Sequence, residues 1–199
     1  MCRFLESIKL KDGVFFRLKY HQERVNHCFQ QCFPDSKIPD LAAFLHQQEV
    51  PPKGLFKCRV LYDEHGFRQP EFIPYQMRTV KTLKLVETTL KSMAYKSADR
   101  SMYEQLIAQR GVCDDVLLVR NGLLTDTSYA NIALYDGEKW LTPRLPVLYG
   151  TNRAYLLERG LIVERDIKEE DLHLYQKIRV FNAMIEFGEV EVIINLSGF

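Results

Sequence analysis

Four glycine turns frame this sequence: Asp12-Gly13, His65-Gly66, Asn121-Gly122 and Asp136-Gly137. Each sits between extended runs, the pattern of chain reversals between paired strands. FLESIKLKDGVFFRL reads as a hairpin with its tight turn at Asp12-Gly13. In GLFKCRVLYDEHGFRQPEFIPY, Phe56, Cys58, Val60 and Tyr62 alternate with Lys57, Arg59 and Leu61. That alternation predicts a half-buried strand and a second hairpin broken near His65-Gly66. RTVKTLKLVET predicts one further strand, and DDVLLVRNGLLTDTSYANIALYDGEKWLTP predicts several short ones.

Helical spacing interrupts the strands. In KYHQERVNHCFQQCF, Val25, Cys28, Phe29 and Cys32 form a stripe. DLAAFLHQQ predicts a short second helix. Ala94 to Gly111, AYKSADRSMYEQLIAQRG, reads as the start, body and end of a third, with Lys96 at its start and Leu106 and Ile107 facing a core. TNRAYLLERG is a helix with Gly160 as its stop. LIVERDI is a strand, KEEDLHLY a short helix, and KIRVFNAMIEFGEVEVIIN ends the sequence in β-structure. The class is therefore α+β. A boundary near Tyr75–Arg78 divides a small N-terminal α+β domain, 1–77, from a larger β-rich domain, 78–199, with no flexible linker between them.

The chain has 199 residues, 46% hydrophobic, enough for one sizeable core or two small ones. Its 27 basic and 26 acidic side chains leave a formal charge of +1 and form no long basic block, so neither nucleic acid nor an anionic membrane is an expected partner. No segment approaches the ~20 apolar residues of a membrane span. MCRFLESIKLKDG carries charge from Arg3 onward and lacks the apolar core of a signal peptide. Cys2, Cys28, Cys32, Cys58 and Cys113 are an odd, scattered set, the pattern of free thiols in a reducing cytoplasm. Cys28 and Cys32, with His27 adjacent, have no second ligand pair at suitable spacing; they read as buried helix thiols, and no metal site is expected.

Three segments point to chemistry: YKSADR, then LTDTSYANIALYDGEKWLTPRL, then VLYGTNRAYLLERGL. In this order they resemble the class IV aminotransferase family, pyridoxal-phosphate enzymes of fold type IV, which includes branched-chain and D-amino acid aminotransferases and 4-amino-4-deoxychorismate lyases. The first resembles the family's lysine segment. The second resembles its acid-x-x-x-x-Asn strand with a TP turn after it, and the third its Gly-x-x-Arg phosphate loop. Upstream, FLESIKLKDGVFFRLKYHQERV is similar to the family's opening hairpin and His-x-x-Arg helix. Downstream, VFNAM is similar to the last active-site turn and nearest to the lyase branch. The resemblance covers nearly the whole chain and implies the D-amino acid aminotransferase-like fold, a small α/β domain followed by a larger β-rich pseudo-barrel.

It also implies roles. Pyridoxal phosphate needs an amine for its Schiff base, and Lys96 matches the family lysine. An acid beside the ring nitrogen keeps the cofactor protonated as an electron sink. The family uses Glu there; here it is Asp126, five residues before Asn131 and one methylene shorter in reach. Arg24 matches the phosphate arginine. Gly150, Thr151 and Asn152 open a helix whose N–H groups favour an anion, where the family often has Ile-Thr in place of Thr151-Asn152. Ala183 and Met184 close the site near the phosphate, and Asn182 caps their turn.

Lys57 and Arg59 share a strand face and are candidates for a substrate carboxylate, and Glu6 falls at a substrate-facing position of the opening strand. Family members usually carry a further strand pair ahead of FLES. Here Met1 stands almost at that point, and the Thr-Arg-Gly ending of the central strand is replaced by LYDEHG. The expected activity is 4-amino-4-deoxychorismate lyase, releasing pyruvate and leaving 4-aminobenzoate, a folate precursor, with Lys96 as proton shuttle. The alternatives are an aminotransferase on a branched-chain or D-amino acid and a non-catalytic cofactor-binding or scaffold protein. A homodimer is expected from the family.

Overall fold

The computed structural model describes residues 3–194, so Cys2 and Asn195 lie outside it. The chain forms two compact units, one of residues 3–77 and 94–99, the other of 78–93 and 100–194.

In the first unit, β1 (Phe4–Lys11) pairs antiparallel with β2 (Val14–Phe15) and, along its whole length, with β3 (Leu55–Asp63). Asp12 and Gly13 both have positive φ, 49° and 79°, the requirement of a two-residue reversal whose twist matches its strands. β3 also pairs with β4 (Gly66–Phe67) and β5 (Glu71–Pro74). Two helices cover one face of this sheet: α1 (Leu18–Cys32) and α2 (Leu41–His46), the latter capped by Asp40, whose side chain accepts from Ala43 N. Phe4, Val25, Cys28, Phe29 and Tyr62 form one core cluster and Ile8, Leu41, Leu45, Cys58 and Val60 another.

The second unit is built on an eight-stranded sheet. Its strands are β6 (Thr82–Glu87), β7 (Asp115–Arg120), β8 (Leu123–Thr127), β9 (Asn131–Tyr135), β10 (Trp140–Pro143), β11 (Val163–Arg165), β12 (Lys177–Phe181) and β13 (Glu191–Ile194), in spatial order β11-β10-β9-β12-β13-β6-β7-β8. Just past β11, Lys168 bridges Leu123 of β8 and Leu124 N donates to Ile167 O, so chain from one sheet end meets the other. Leu83, Leu117, Leu124, Ile132, Leu134, Ile178 and Val180 fill the core beside it. The helices are α3 (Ser101–Ile107) and α4 (Thr151–Glu158).

The short helix expected in KEEDLHLY is a 3-10 helix over Glu169–Leu174. One sequence expectation changes. The helix expected to occupy 94–111 begins only at Ser101 and passes into a 3-10 turn at Ala108–Arg110. The residues before it are extended: Ser97 bridges Phe4, Leu5 N donates to Lys96 O at 2.9 Å, and Ala98 N donates to Arg3 O at 3.0 Å. β6 and β7 are parallel, so the chain between them must cross over. That crossover gives Ala94–Asp99, expected within the C-terminal domain, to the first unit.

Candidate active site

Strand alternation sets the first unit's polar residues. Glu6 shares parity with Phe4, Ile8 and Leu10 and faces the helices; Ser7 and Lys9 face the other way. On α1, His21, Arg24, Val25 and Cys28 repeat at i, i+3, i+4 and i+7, and all are buried. This stripe brings two polar groups onto the fully buried Glu6. Arg24 Nε donates to Oε1 at 2.8 Å and Nη2 donates to Oε2 at 2.5 Å. His21 Nδ1 lies 2.5 Å from Oε2. Burial alone would raise the Glu6 pKa, but Arg24 and His21 outweigh it and hold the carboxyl at about 2. Burial and the positive charges of Arg24 and Lys96 push His21 below its usual range, so its imidazole is neutral and donates through Nδ1–H.

Lys96 is half-buried, and its Nζ donates to Ser7 Oγ at 3.2 Å. Glu6, expected to touch substrate, has no exposed surface, so it is no open substrate contact. Lys57 and Arg59 do share the face of Ser7 and Lys9: Ser7 pairs with Arg59 and Lys9 with Lys57. Arg59 Nη1 donates to Glu71 Oε1 at 2.9 Å, which already answers that charge. Cys28 is buried, and burial pushes its thiol up to about 12, a state suited to packing rather than metal ligation.

In the second unit, Asp126 near the end of β8 and Asn131 at the start of β9 are joined by a tight turn. Thr127 N donates to Ala130 O at 2.9 Å, and Ala130 N donates to Thr127 Oγ1 at 3.0 Å. The turn folds Asn131 back onto the acid: Asn131 Nδ2 donates to Asp126 Oδ1 and Leu148 N to Oδ2, each at 2.8 Å. Burial raises the Asp126 carboxyl to about 7 against these bonds and the charge of Arg153. Two residues beyond Leu148, Gly150 opens α4. A Cβ there would stand 2.0 Å from Asn131 Oδ1, so only glycine lets the helix start come this close.

Thr151 and Asn152 follow, 4% and 1% exposed. Asn152 Nδ2 donates to Asn182 O at 2.9 Å and Ile185 O at 3.1 Å. Asn182 Oδ1 in turn accepts from Met184 N and Ile185 N at 2.8 and 3.0 Å, the cap expected from VFNAM. The second unit thus brings together Asp126, Gly150, Thr151, Asn152, Ala183 and Met184. Lys96, Arg24, Glu6, Lys57 and Arg59 belong to the first. Ser7 escaped the sequence reading, and His21 entered it only within the His-x-x-Arg pattern, with no role assigned. No spacing rule links Ser7 to Lys96. His21 was visible as the i−3 partner of Arg24 on an apolar stripe.

The sequence matches the family model for amino-transferase class IV over residues 67–193. An uncharacterized protein of Haemophilus influenzae is 32% identical over 186 residues, 92% of this chain and 98% of that one. A crystal structure from Haemophilus somnus 129PT, described as a "putative 4-amino-4-deoxychorismate lyase", superposes with a TM-score of 0.86 at 31% identity, covering 94% of this chain and 98% of that one. The PLP-bound form of a hypothetical aminotransferase from Mycobacterium tuberculosis shares the fold, with a TM-score of 0.78 at 19% identity over 97% of this chain and 81% of that one. A motif order legible in the residues, a carboxylate and a glycine-opened helix fixed against one asparagine, and a matched family model over most of the chain make this protein a member of the class IV aminotransferases.

Proposed function

We propose that this chain is a pyridoxal-phosphate enzyme whose activity is that of a 4-amino-4-deoxychorismate lyase. The observation that carries the cofactor is the buried Asp126 carboxylate, both oxygens held, beside a helix start that tolerates no side chain. Such a carboxylate suits a protonated ring nitrogen, and the first N–H groups of α4 suit a phosphate. When bound, the cofactor draws electrons from the substrate carbon bonded to the amine.

The remaining steps fall to the chain's own groups. Lys96 would hold the cofactor through its Nζ and, once freed, would move a proton as general acid and base. Its Nζ donates to Ser7 Oγ at 3.2 Å, which steadies the amine. Asp126 would hold charge at the ring nitrogen and the Gly150–Asn152 turn would receive the phosphate; Arg24, in the first unit, is the candidate phosphate arginine. Ala183 and Met184 close the site through their backbone. Lys57 is the better candidate for a substrate carboxylate, since Glu71 already engages Arg59. The name of the Haemophilus somnus relative, at 31% identity, supports the lyase branch.

The test is spectroscopic and then chemical. Purified protein with pyridoxal phosphate should turn yellow, and borohydride should fix the cofactor on Lys96 by peptide mapping. Aminodeoxychorismate should then yield pyruvate with no keto-acid acceptor present. A colourless Lys96→Ala variant is expected. Turnover that begins only when an acceptor is added would replace lyase by aminotransferase. The proposed assembly, a homodimer, is read by light scattering.

A further inference from the structure

The arrangement around Arg24 gives Glu6 a role other than substrate contact. The carboxylate meets the guanidinium along its Nε–Nη2 side, with both oxygens engaged. His21 anchors the Oε2 atom from the same helix, one turn earlier. A planar guanidinium held on that side keeps its Nη1–Nη2 edge as the remaining two-donor fork, the shape that matches a phosphate. The guanidinium's hydrogen bonds among the described residues run from Nε and Nη2 to Glu6. All three side chains are buried, so the aim of the fork is set by Glu6 rather than by solvent.

We infer that Glu6, steadied by His21, is a positioning residue that fixes the Arg24 guanidinium for the phosphate of a phosphorylated cofactor. This rests on the pyridoxal-phosphate reading above. Glu6 has β1 to hold it in place, whereas Arg24 sits on a long, flexible stem that needs an anchor. In Glu6→Gln one acceptor survives, but the new amide turns an N–H toward the guanidinium, which must rotate away.

The discriminating measurement compares pyridoxal phosphate with pyridoxal, which lacks the phosphate, by absorbance titration of the full-length chain. Glu6→Gln should weaken pyridoxal phosphate about tenfold while leaving pyridoxal unchanged. If Glu6 acts through Arg24, the double variant Glu6→Gln/Arg24→Gln should show the same phosphate-to-pyridoxal ratio as Arg24→Gln alone. Equal weakening of both compounds would make Glu6 merely structural and overturn the inference. So would an unchanged or tighter affinity for pyridoxal phosphate, or additive losses in the double variant. Should Glu6→Gln fail to fold, Glu6→Asp, with the charge kept but withdrawn by one methylene, is scored on the same ratio. Wild-type protein that binds no pyridoxal phosphate would overturn the cofactor reading as well; wild-type binding with an unmoved ratio would overturn this inference alone.

Discussion

At the residue scale, two buried acids pull stability in opposite directions with pH. Asp126 is raised from 3.8 to about 7, so between those values the folded chain binds more protons than the unfolded one. Its contribution is therefore lost as pH rises from about 4 to about 7. Glu6 is lowered from 4.5 to about 2, so its contribution is present above pH 4.5 and lost as pH falls toward 2. His21, lowered below its usual range, acts in the opposite sense up to about pH 6.5, so the readout is the difference between wild type and Asp126→Asn. The wild type's denaturant midpoint, in the cofactor-free protein, should fall relative to that of Asp126→Asn as pH rises across the first window; a difference flat with pH would assign the slope to other groups. Gly150→Ala is the steric counterpart. Its methyl would overlap Asn131 Oδ1 at 2.0 Å and force that amide off Asp126. A loss of about 1–3 kcal/mol in urea unfolding is expected, the usual scale of overpacking. Cofactor affinity should fall with it.

At the scale of elements, the first turn of α4 is tied to the 182–185 turn by two asparagines. Asn182 caps Met184 N and Ile185 N, and Asn152 holds the carbonyls of Asn182 and Ile185. Asn182→Ala leaves two N–H groups without their cap, at a cost of about 1–3 kcal/mol. The urea midpoint should fall with the m-value unchanged, since the unfolded surface is the same. A change in m would mean that the turn had melted. The Asn182 cap and the Gly150 start were legible because their signals are local, whereas Asn152 reaches carbonyls 30 and 33 positions away. Asn182 lies two and three residues from its partners, and Gly150 stands at the very start of its helix. The Lys96 segment was not legible. Its polar, helix-compatible sequence is overridden by pairing with β1, and its amine finds Ser7 89 positions away. Glu6 had a signal that went unused: it shares parity with Ile8 and Leu10. A carboxylate on an apolar strand face must have a buried cation, and Arg24 on the apolar stripe of α1 supplies it.

At the scale of the molecule, the proposed cofactor residues are divided by the fold. Lys96 and Arg24 belong to the first unit; Asp126 and Gly150–Asn152 belong to the second. The division follows from the parallel β6–β7 pair, whose crossover takes the lysine segment out of one unit and into the other. Strand and turn patterns gave most elements, but topology of this kind depends on which strands become neighbours, and no local pattern records that. If one ligand engages residues of both units, it must stabilise both. At a hundredfold excess over its dissociation constant, pyridoxal phosphate should add about 2.7 kcal/mol to unfolding. Hydrogen exchange should then slow in β1 and α1 as well as in β8 and α4, and calorimetry should show one transition moving up. Asp126→Asn, a change in the second unit, should remove the protection gained in the first. Protection confined to β8 and α4 would mean that Lys96 and Arg24 take no part in holding the cofactor.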